Sequence, residues 1–329
     1  MNDLKQKVTD KIMIKSLNIT NQNLLKIRIL VIGLLVVASI IKVEAQQEPM
    51  YSQYMFNLLQ INPAYAGNRA VDNITNLYRK QWVGIPGSPL TATLSWDTRK
   101  EDSKVGYGLQ IYNDQLGIEN STGFQAFYSY KIPFDKSSLT FGLSGGALYY
   151  TAELSKAKTI QPGDPVFQED VRGILPTAGF GLLYSAEKWY VGLSAPALLK
   201  TKIISSYNVI TSEASNHYFL TGGYIFNVSS VFKLKPSVMV KAVSGAPIEY
   251  DFNMNAWLND VVGLGVSYRT NDSFVGMFEL QMSPEIRIGY AYDYTISNLK
   301  TYSKGTHELL LRYEFGNPKT QRVLSPRYY

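Results

Sequence analysis

From residue 73 onward, apolar and polar residues alternate along this chain with a period of two. Successive side chains of a β-strand lie on opposite faces, so this alternation predicts strands with one apolar and one polar face. Residues 90–97 give the clearest example, with Leu90, Ala92, Leu94 and Trp96 on one face and Thr91, Thr93, Ser95 and Asp97 on the other. The feature restricts the chain to an all-β fold whose sheet has two chemically different sides.

The alternating runs recur about fourteen times over residues 73–316. They begin near Ile74, Leu90, Val105, Phe124, Leu139, Ala178, Trp189, Tyr218, Phe232, Ile248, Val262, Phe274, Ile286 and His307. Nearly every run reaches the roughly 9 to 11 residues that a tilted membrane strand requires. We therefore predict an outer-membrane antiparallel β-barrel of about fourteen strands, whose even count places both chain ends in the periplasm. The alternative is a secreted soluble β-sandwich or β-barrel.

Composition and connection lengths favour the membrane barrel. The chain has 24 tyrosines and 25 glycines, and membrane barrels use aromatic girdles and glycine on curved strands. With both chain ends in the periplasm, the longest connections, at 153–175, 197–216 and 295–305, lie outside the cell, and the tight ones at 185–188 and 282–285 lie in the periplasm. Some external connections are short as well, so the register of individual strands stays open.

Residues 1–45 differ in composition from the rest of the chain and are typical of an export signal. Lys26 and Arg28 precede an unbroken apolar run over residues 29–41, and small or modest side chains lead to Ala45. This arrangement predicts a signal peptide that is cleaved after Ala45. The alternative is a retained membrane anchor, which would need roughly 20 apolar residues.

Most of the positive charge of the chain belongs to this leader. Residues 1–45 contain seven basic and three acidic residues, so the formal charge of +6 falls to +2 for residues 46–329. We therefore expect no nucleic-acid partner. The absence of cysteine excludes disulfides and thiolate sites, and two histidines supply few ligands for zinc. We expect no metal and no cofactor.

Charged residues inside the strands fall mainly on the polar face of each strand. This is required if the apolar face points to lipid. The candidates for a lumenal charge network are Arg79, Lys241, Asp251, Glu279, Arg287, Asp293, Glu308 and Arg312. Two interpretations stay open: ion pairs that fill and rigidify the barrel, or a polar conduit or docking surface for a protein segment. Lys80, on the apolar parity, is expected at the external rim, where its ammonium reaches water.

Residues 46–72 precede the first strand and do not alternate. Helical spacing of apolar side chains from Tyr51 to Leu59 predicts a short amphipathic helix that ends at Asn62, with a sharp turn at Gly67. We expect a clasp at the periplasmic mouth or a plug in the lumen; an ordinary ordered terminus is the alternative. The candidate plug or partner-binding residues are Tyr51, Gln53, Tyr54, Phe56, Asn57, Asn62, Pro63, Tyr65 and Gly67.

The two histidines raise the alternative of a hydrolase at the external rim. His217 and His307 each begin a predicted strand, and Asp164 or Asp293 is the acid that such a site would use. Lone histidines at a barrel rim are more often interface side chains, and the sequence has no serine-nucleophile elbow and no metal-ligand cluster. We therefore predict that the protein is not an enzyme and assign no catalytic residue.

Four stretches of the sequence resemble the PorP/SprF family of type IX secretion system membrane proteins. They are residues 51–57 with 62–67, residues 78–84 with 87–89, residues 236–253, and residues 289–294 with 305–308 and 325–329. The resemblance follows essentially the whole chain after residue 45, in order. It implies an outer-membrane barrel of the type IX export and gliding machinery, with no established catalytic residues.

The resemblance also implies a function: assisting secretion or surface attachment of a large adhesin-like protein that carries a C-terminal sorting domain. The expected partners are that exported protein, other secretion components in the periplasm and outer membrane, and the lipid bilayer. Residues 317–329 would form a periplasmic tail. The alternative is a passive porin-like diffusion or uptake barrel, because the polar parity would line an open lumen.

Overall fold

The computed structural model describes residues 50–69, 71–100, 103–157, 159, 164, 167–199, 202–204, 210–213, 216–244 and 246–315. Fourteen strands close into one antiparallel barrel, in which the first strand pairs with the last. They are β1 (Asp72–Lys80), β2 (Leu90–Thr98), β3 (Val105–Leu116), β4 (Glu119–Pro133), β5 (Ser137–Ala152), β6 (Val171–Ala186), β7 (Trp189–Ala195), β10 (His217–Tyr224), β12 (Phe232–Val243), β13 (Glu249–Leu258), β14 (Val262–Arg269), β15 (Ser273–Gln281), β16 (Ile286–Thr295) and β17 (Thr306–Phe315). The predicted barrel is confirmed.

Three short strands are additional to these fourteen. β8 (Lys202–Ile204) and β9 (Ile210–Glu213) pair with each other in the connection between β7 and β10, and β11 (Phe226–Asn227) extends the pairing of β12. Within the described ranges, no helix is long and apolar enough to cross a membrane. The predicted leader at 1–45 and the predicted tail at 317–329 lie outside the described residues.

The barrel wall is apolar outside and polar inside, the reverse of a soluble barrel. On β2, Leu94 is 50% exposed, whereas its neighbours Thr93 and Ser95 are each 1% exposed. The same inversion recurs around the ring, where the exposed side chains include Leu109, Ile111, Leu143, Leu193, Leu220, Leu264, Val266, Leu309 and Leu311. A continuous apolar belt of this kind is stable against lipid rather than water. The protein is therefore an integral outer-membrane barrel.

The two ends of the barrel differ in their connections. The end at which β1 begins and β17 finishes has only brief connections, such as 187–188 and 282–285. The opposite end carries the long connections 153–170, 196–216 and 296–305. Outer-membrane barrels keep short turns in the periplasm and long loops outside. We therefore call the first the periplasmic end and the second the external end.

The external halves of β5 and β6 extend beyond the alternating pattern. β6 begins at Val171 rather than near Ala178. The inward-facing side chains of this part of the strand are apolar as well, so the sequence does not alternate between apolar and polar residues. The inward side chains Tyr150, Ala152, Val171 and Leu175 pack with Ile203 of β8. The β8–β9 hairpin therefore covers the inner surface of this part of the wall. By contrast, β7 has only 7 residues and β14 has 8.

The loop between β5 and β6 is tied to its own far end. It starts with a single turn of 3-10 helix at Leu154–Lys156. Ser155 donates its hydroxyl and its backbone N–H to Asp170 Oδ1, at 2.8 and 3.2 Å. These bonds stabilise the carboxylate and hold the pKa of Asp170 below its ordinary value. The loop thus enters β6 in a fixed geometry.

Candidate functional site

Residues 50–69, which we call the lumenal segment, lie inside the barrel. Tyr54, Met55, Leu58 and Ala64 are all at most 3% exposed. The predicted amphipathic helix is wrong: the segment forms three single turns of 3-10 helix, Tyr54–Phe56, Leu58–Gln60 and Pro63–Tyr65. The wall surrounds the segment, so no side of it faces water and backbone groups bond to wall side chains as well as to each other. An amphipathic α-helix needs one face in water, which this environment does not provide.

The lumenal segment begins near the external end of the lumen, where a buried charge cluster holds it. Arg79 of β1 binds Glu308 Oε2 and Asp293 Oδ2, each at 2.8 Å. Ser52 donates its hydroxyl to Asp293 Oδ2 at 2.6 Å and accepts from Arg79 at 2.9 Å. Glu308 in turn accepts the backbone N–H groups of Ser52 and Gln53, each at 2.8 Å. One arginine and two carboxylates are thereby bonded to each other and to the start of the segment.

Next to this cluster, two tyrosines of the segment reach opposite parts of the wall. Tyr51 shares a hydrogen bond of 2.6 Å with Thr93 on β2. The phenol of Tyr54 accepts from Asn253 on β13 at 2.8 Å. The two bonds join the segment to strands on either side of the β1–β17 seam, so it is fixed across the lumen rather than along one wall.

The middle of the segment is held by the carbonyl of Phe56. This oxygen accepts from Arg69 Nη2 at 2.9 Å and also from Arg312 on β17. The ring of Phe56 packs edge-on against Trp257, with ring centroids 6.4 Å apart. Asn57 donates to Ser95 Oγ at 3.0 Å. The predicted residues Phe56, Asn57 and Arg312 are thus brought together.

The segment then crosses to the β6–β7 side of the lumen. Asn62 accepts from Ala64 N at 2.9 Å, which caps the turn that starts at Pro63, and donates to Leu182 O on β6 at 3.0 Å. Ser194 of β7 donates to Ile61 O at 2.6 Å. Asn62 and Pro63, which were predicted to end an amphipathic helix, instead start the third 3-10 turn.

The segment leaves the lumen at the periplasmic end. Ser129 of β4 donates to Ala66 O at 2.7 Å. Gly67, where a sharp turn was predicted, adopts a left-handed φ of +64°, and its N–H donates to Asp97 Oδ2 at 2.9 Å. Arg69 then pairs with Glu314 on β17 at 2.9 Å. These contacts complete a path through the lumen from the external to the periplasmic end.

Glycines on the inner face of the wall make room for the segment. A Cβ at Gly142 of β5 would overlap the backbone N of Ala64, and one at Gly181 of β6 would overlap the side chain of Asn62. Gly106 and Gly289 stand in the same relation to Ala66 O and the Gln53 side chain. These inward glycines therefore leave space for the lumenal segment and also reduce crowding inside the curved wall.

Apolar side chains on the inner face of the wall also pack against the segment. A single core cluster joins Tyr51, Tyr54, Met55, Phe56, Leu58, Ile61, Ala64 and Tyr65 to the wall residues Leu77, Leu183, Tyr190, Phe219, Met239, Trp257, Val275, Met277, Ala291 and Leu310. An open aqueous lumen has no reason to present such residues inward. They are the sequence signal that would have located the segment in the lumen.

The remaining charges predicted for the lumen form pairs between strands. Glu279 binds Arg287 at 3.0 Å and also accepts from Trp257 Nε1 at 2.9 Å. Asp251 pairs with Arg269 at 3.1 Å. Arg269, the last residue of β14 and directly opposite Asp251 in the register, was missing from the predicted network. Lys241 is buried on the inward face of β12.

The structure separates the residues considered for a hydrolase. His307 faces outward, where its Nδ1 shares a hydrogen bond of 2.6 Å with the Tyr290 phenol, whereas Asp293 faces inward and binds Arg79. His217 is buried on the inner face and stacks on Phe219. Among the described residues, no group of three or more acidic or histidine side chains has the geometry to hold a metal ion.

Solved structures with the same fold are outer-membrane transport barrels. The Ralstonia pickettii toluene transporter TbuX superposes with a TM-score of 0.51 at 10% sequence identity, covering 79% of this chain and 92% of the transporter. The CymD monoaromatic hydrocarbon channel superposes with a TM-score of 0.51 at 13% identity, covering 82% and 94%. At such identities the likeness extends to the fold alone. No curated protein matches the sequence.

A family profile gives the more specific assignment. The profile described as "Type IX secretion system membrane protein PorP/SprF" matches residues 43–313, which contain the lumenal segment and thirteen complete barrel strands with most of the fourteenth. The family resemblance is thereby confirmed over one continuous range, which contains all of the quoted stretches except residues 325–329. The chain belongs to the PorP/SprF family of type IX secretion system membrane proteins.

Proposed function

We propose that this outer-membrane component of the type IX secretion system is a non-enzymatic accessory that assists secretion or surface attachment of an adhesin-like protein with a C-terminal sorting domain. The observation that supports this most is the lumenal segment, which fills the barrel interior and bonds to wall strands around the ring. In a barrel with a filled interior, only the two mouths and the outer wall can bind a partner.

The runner-up is a passive diffusion or uptake barrel. Its support is the shared fold with transport barrels, which does not extend to function at these identities. Against it stands the packing of the lumen: Trp257, Met277 and Leu310 face inward and contact the lumenal segment rather than water. We therefore prefer a closed barrel that works by binding.

The external end is our proposed contact for the exported protein. It carries the three long connections 153–170, 196–216 and 296–305. The β8–β9 hairpin and the Ser155–Asp170 bonds order parts of two of these connections. A surface protein anchored by its sorting domain would meet this end first.

The periplasmic end is our proposed contact for other secretion components. The connections there are brief, so a partner would reach the wall edge and the chain that follows β17 directly. We assign residues 317–329 to this role, because they extend beyond the last strand at Phe315.

The start of the lumenal segment bears on the leader. Ser52 binds Asp293 and Glu308 near the external ends of β16 and β17. The apolar run over residues 29–41 is also shorter than the roughly 20 residues that a membrane-spanning helix requires. We therefore favour cleavage after Ala45 over a retained anchor.

A gene-deletion strain tests this function. Surface proteins are released from intact cells by protease and quantified by mass spectrometry, with the complemented strain as control. We expect at least one protein with a C-terminal sorting domain to be lost from the surface and recovered on complementation, while uptake of small solutes stays unchanged. Normal display of all such proteins, or a loss of solute uptake alone, would refute the proposal and favour the diffusion barrel.

A further inference from the structure

A row of outward-facing side chains runs from the external rim down into the lipid-facing wall. Neighbouring strands pair in direct register along the row of residues Lys80, His307, Tyr292, Gly276, Val266 and Met254. Lys80 is the last residue of β1, whereas Met254 lies in the middle of β13. The row therefore joins a polar rim to the apolar interior of the bilayer.

The rim end of the row is cationic. Lys80 and His307 lie side by side on the lipid-facing parity, and Lys80 donates to Ser88 O at 2.9 Å, which holds its ammonium at the rim. The adjoining loop 296–305 adds the exposed Lys300 and Lys304, and neither this loop nor loop 81–89 contains a carboxylate. Tyr292 bonds to Lys304 O at 3.1 Å, which places Lys304 above the row.

The lower end of the row is an apolar groove of about 510 Å³ on the outer wall. It is lined by Met254, Leu264, Val266, Gly276, Phe278 and Tyr290 among others. A Cβ at Gly276 would meet nothing within 4 Å, so this glycine forms a gap between larger neighbours. At this depth the bilayer offers hydrocarbon chains to fill such a gap.

Tyr290 connects the two parts. Its ring lines the groove, and its phenol shares the 2.6 Å hydrogen bond with His307 Nδ1 at the rim. A molecule that placed an anionic group at Lys80 and His307 could therefore lay an apolar chain along Tyr290 into the groove over Gly276. Phosphate is the anion that outer-leaflet glycolipids present at this level, and ammonium groups bind it by charge-assisted hydrogen bonds.

We propose that this row is a binding site for one phosphorylated glycolipid of the outer leaflet, with its phosphate at Lys80 and His307 and an acyl chain in the groove over Gly276. The site is independent of the lumenal segment and of the secretion function. Its ligand is set by charge at the rim and by the apolar gap below, both of which lie on the outer face of the wall.

The chain supplies matched variants for the test. Gly276→Leu fills the groove, and Gly145→Leu is its control, because a Cβ at Gly145 on the far side of the barrel also meets nothing within 4 Å. The double variant Lys80→Gln/His307→Gln removes the two side chains proposed to hold the phosphate. Lys156→Gln, in the external loop 153–170 and paired with Glu153, is the control for it. Heat-modifiable mobility in gels confirms that each variant forms a barrel.

Native mass spectrometry of the barrel extracted from outer membranes in mild detergent measures the bound lipid. We expect one glycolipid on the wild-type, Gly145→Leu and Lys156→Gln proteins. We expect about tenfold less on Gly276→Leu, which removes the space for the acyl chain, and on the double variant, which removes the contacts to the phosphate. Added lipid A should bind the wild type more tightly than its dephosphorylated form. No bound glycolipid on the wild type, equal retention by all variants, preference for phosphatidylglycerol, or a second protein copy at the site would each overturn the proposal.

Discussion

The guanidinium of Arg79 on the first wall strand donates to the hydroxyl of Ser52 in the lumenal segment at 2.9 Å. The two residues are separated by the whole length of the segment and of β1, so the chain descends through the lumen and returns as the first strand of the wall. Arg79 is 2% exposed and also binds Asp293 and Glu308. The start of the segment is thus bonded to the strand that its end leads into.

Replacing Arg79 by alanine should destabilise the barrel strongly. The change leaves Asp293 and Glu308 buried without their cation, and breaking a buried ion pair on one side costs about 3–5 kcal/mol. The free energy of unfolding, measured in lipid vesicles by denaturant titration with tryptophan fluorescence, should fall accordingly. Lys156→Ala, which breaks the exposed pair with Glu153, is the control and should leave it unchanged. Equal effects of both changes would contradict the role given to Arg79.

A larger side chain should destabilise the barrel at one glycine of β5 and be tolerated at another. Gly142→Val forces a side chain into the backbone of Ala64, and overpacking of this kind costs about 1–3 kcal/mol. Gly145→Val points into lipid, where a Cβ meets nothing within 4 Å, and should be tolerated. The same denaturant titration compares the two variants. If Gly142→Val were as stable as Gly145→Val, the lumenal segment would not fit against β5 as described.

The orientation of the barrel can be read from single cysteines, because the chain has none of its own. Tyr302→Cys lies in the external loop 296–305 and Met282→Cys in the turn 282–285, and the native side chains are 72% and 63% exposed. A membrane-impermeant maleimide should label Tyr302→Cys in intact cells and Met282→Cys only after the outer membrane is opened. The reverse pattern would invert the assignment of the two ends.

We also predict where the signal peptide is cleaved. Cleavage after Ala45 leaves Gln46 as the first residue, a few residues before the bonds of Ser52 to the wall. Mass spectrometry of peptides from the purified outer-membrane protein should find this new amino terminus. Recovery of peptides from residues 1–45 in the mature barrel would instead support the retained anchor.

The barrel itself could be predicted from the sequence because its signal is local. A period of two needs only neighbouring residues, and the inverted wall places Leu94 outside and Thr93 inside as the alternation of residues 90–97 requires. The start of β6 was misplaced because Val171 and Leu175 are apolar on the inward parity. Local pattern fails where a second layer, here the β8–β9 hairpin, covers the inner face.

The lumenal segment was recognised as exceptional but given the wrong conformation. Helical spacing of Tyr51, Tyr54 and Leu58 reflects burial on every side, and the bonds that fix the chain come from distant strands. Arg269 was missed for a similar reason: its partner Asp251 is close only through the register of β13 and β14. The bonds of the segment depend on closure of the ring, whereas the Asp251–Arg269 pair depends on the register of one hairpin. A short window of sequence contains neither.

Single-channel recording in planar lipid bilayers tests most directly whether the barrel is closed by its own amino-terminal segment. We predict that the purified wild-type barrel inserts without producing open-channel current, and that a variant lacking residues 46–67 conducts. A steady ion current through the wild-type protein would contradict it and restore the diffusion barrel.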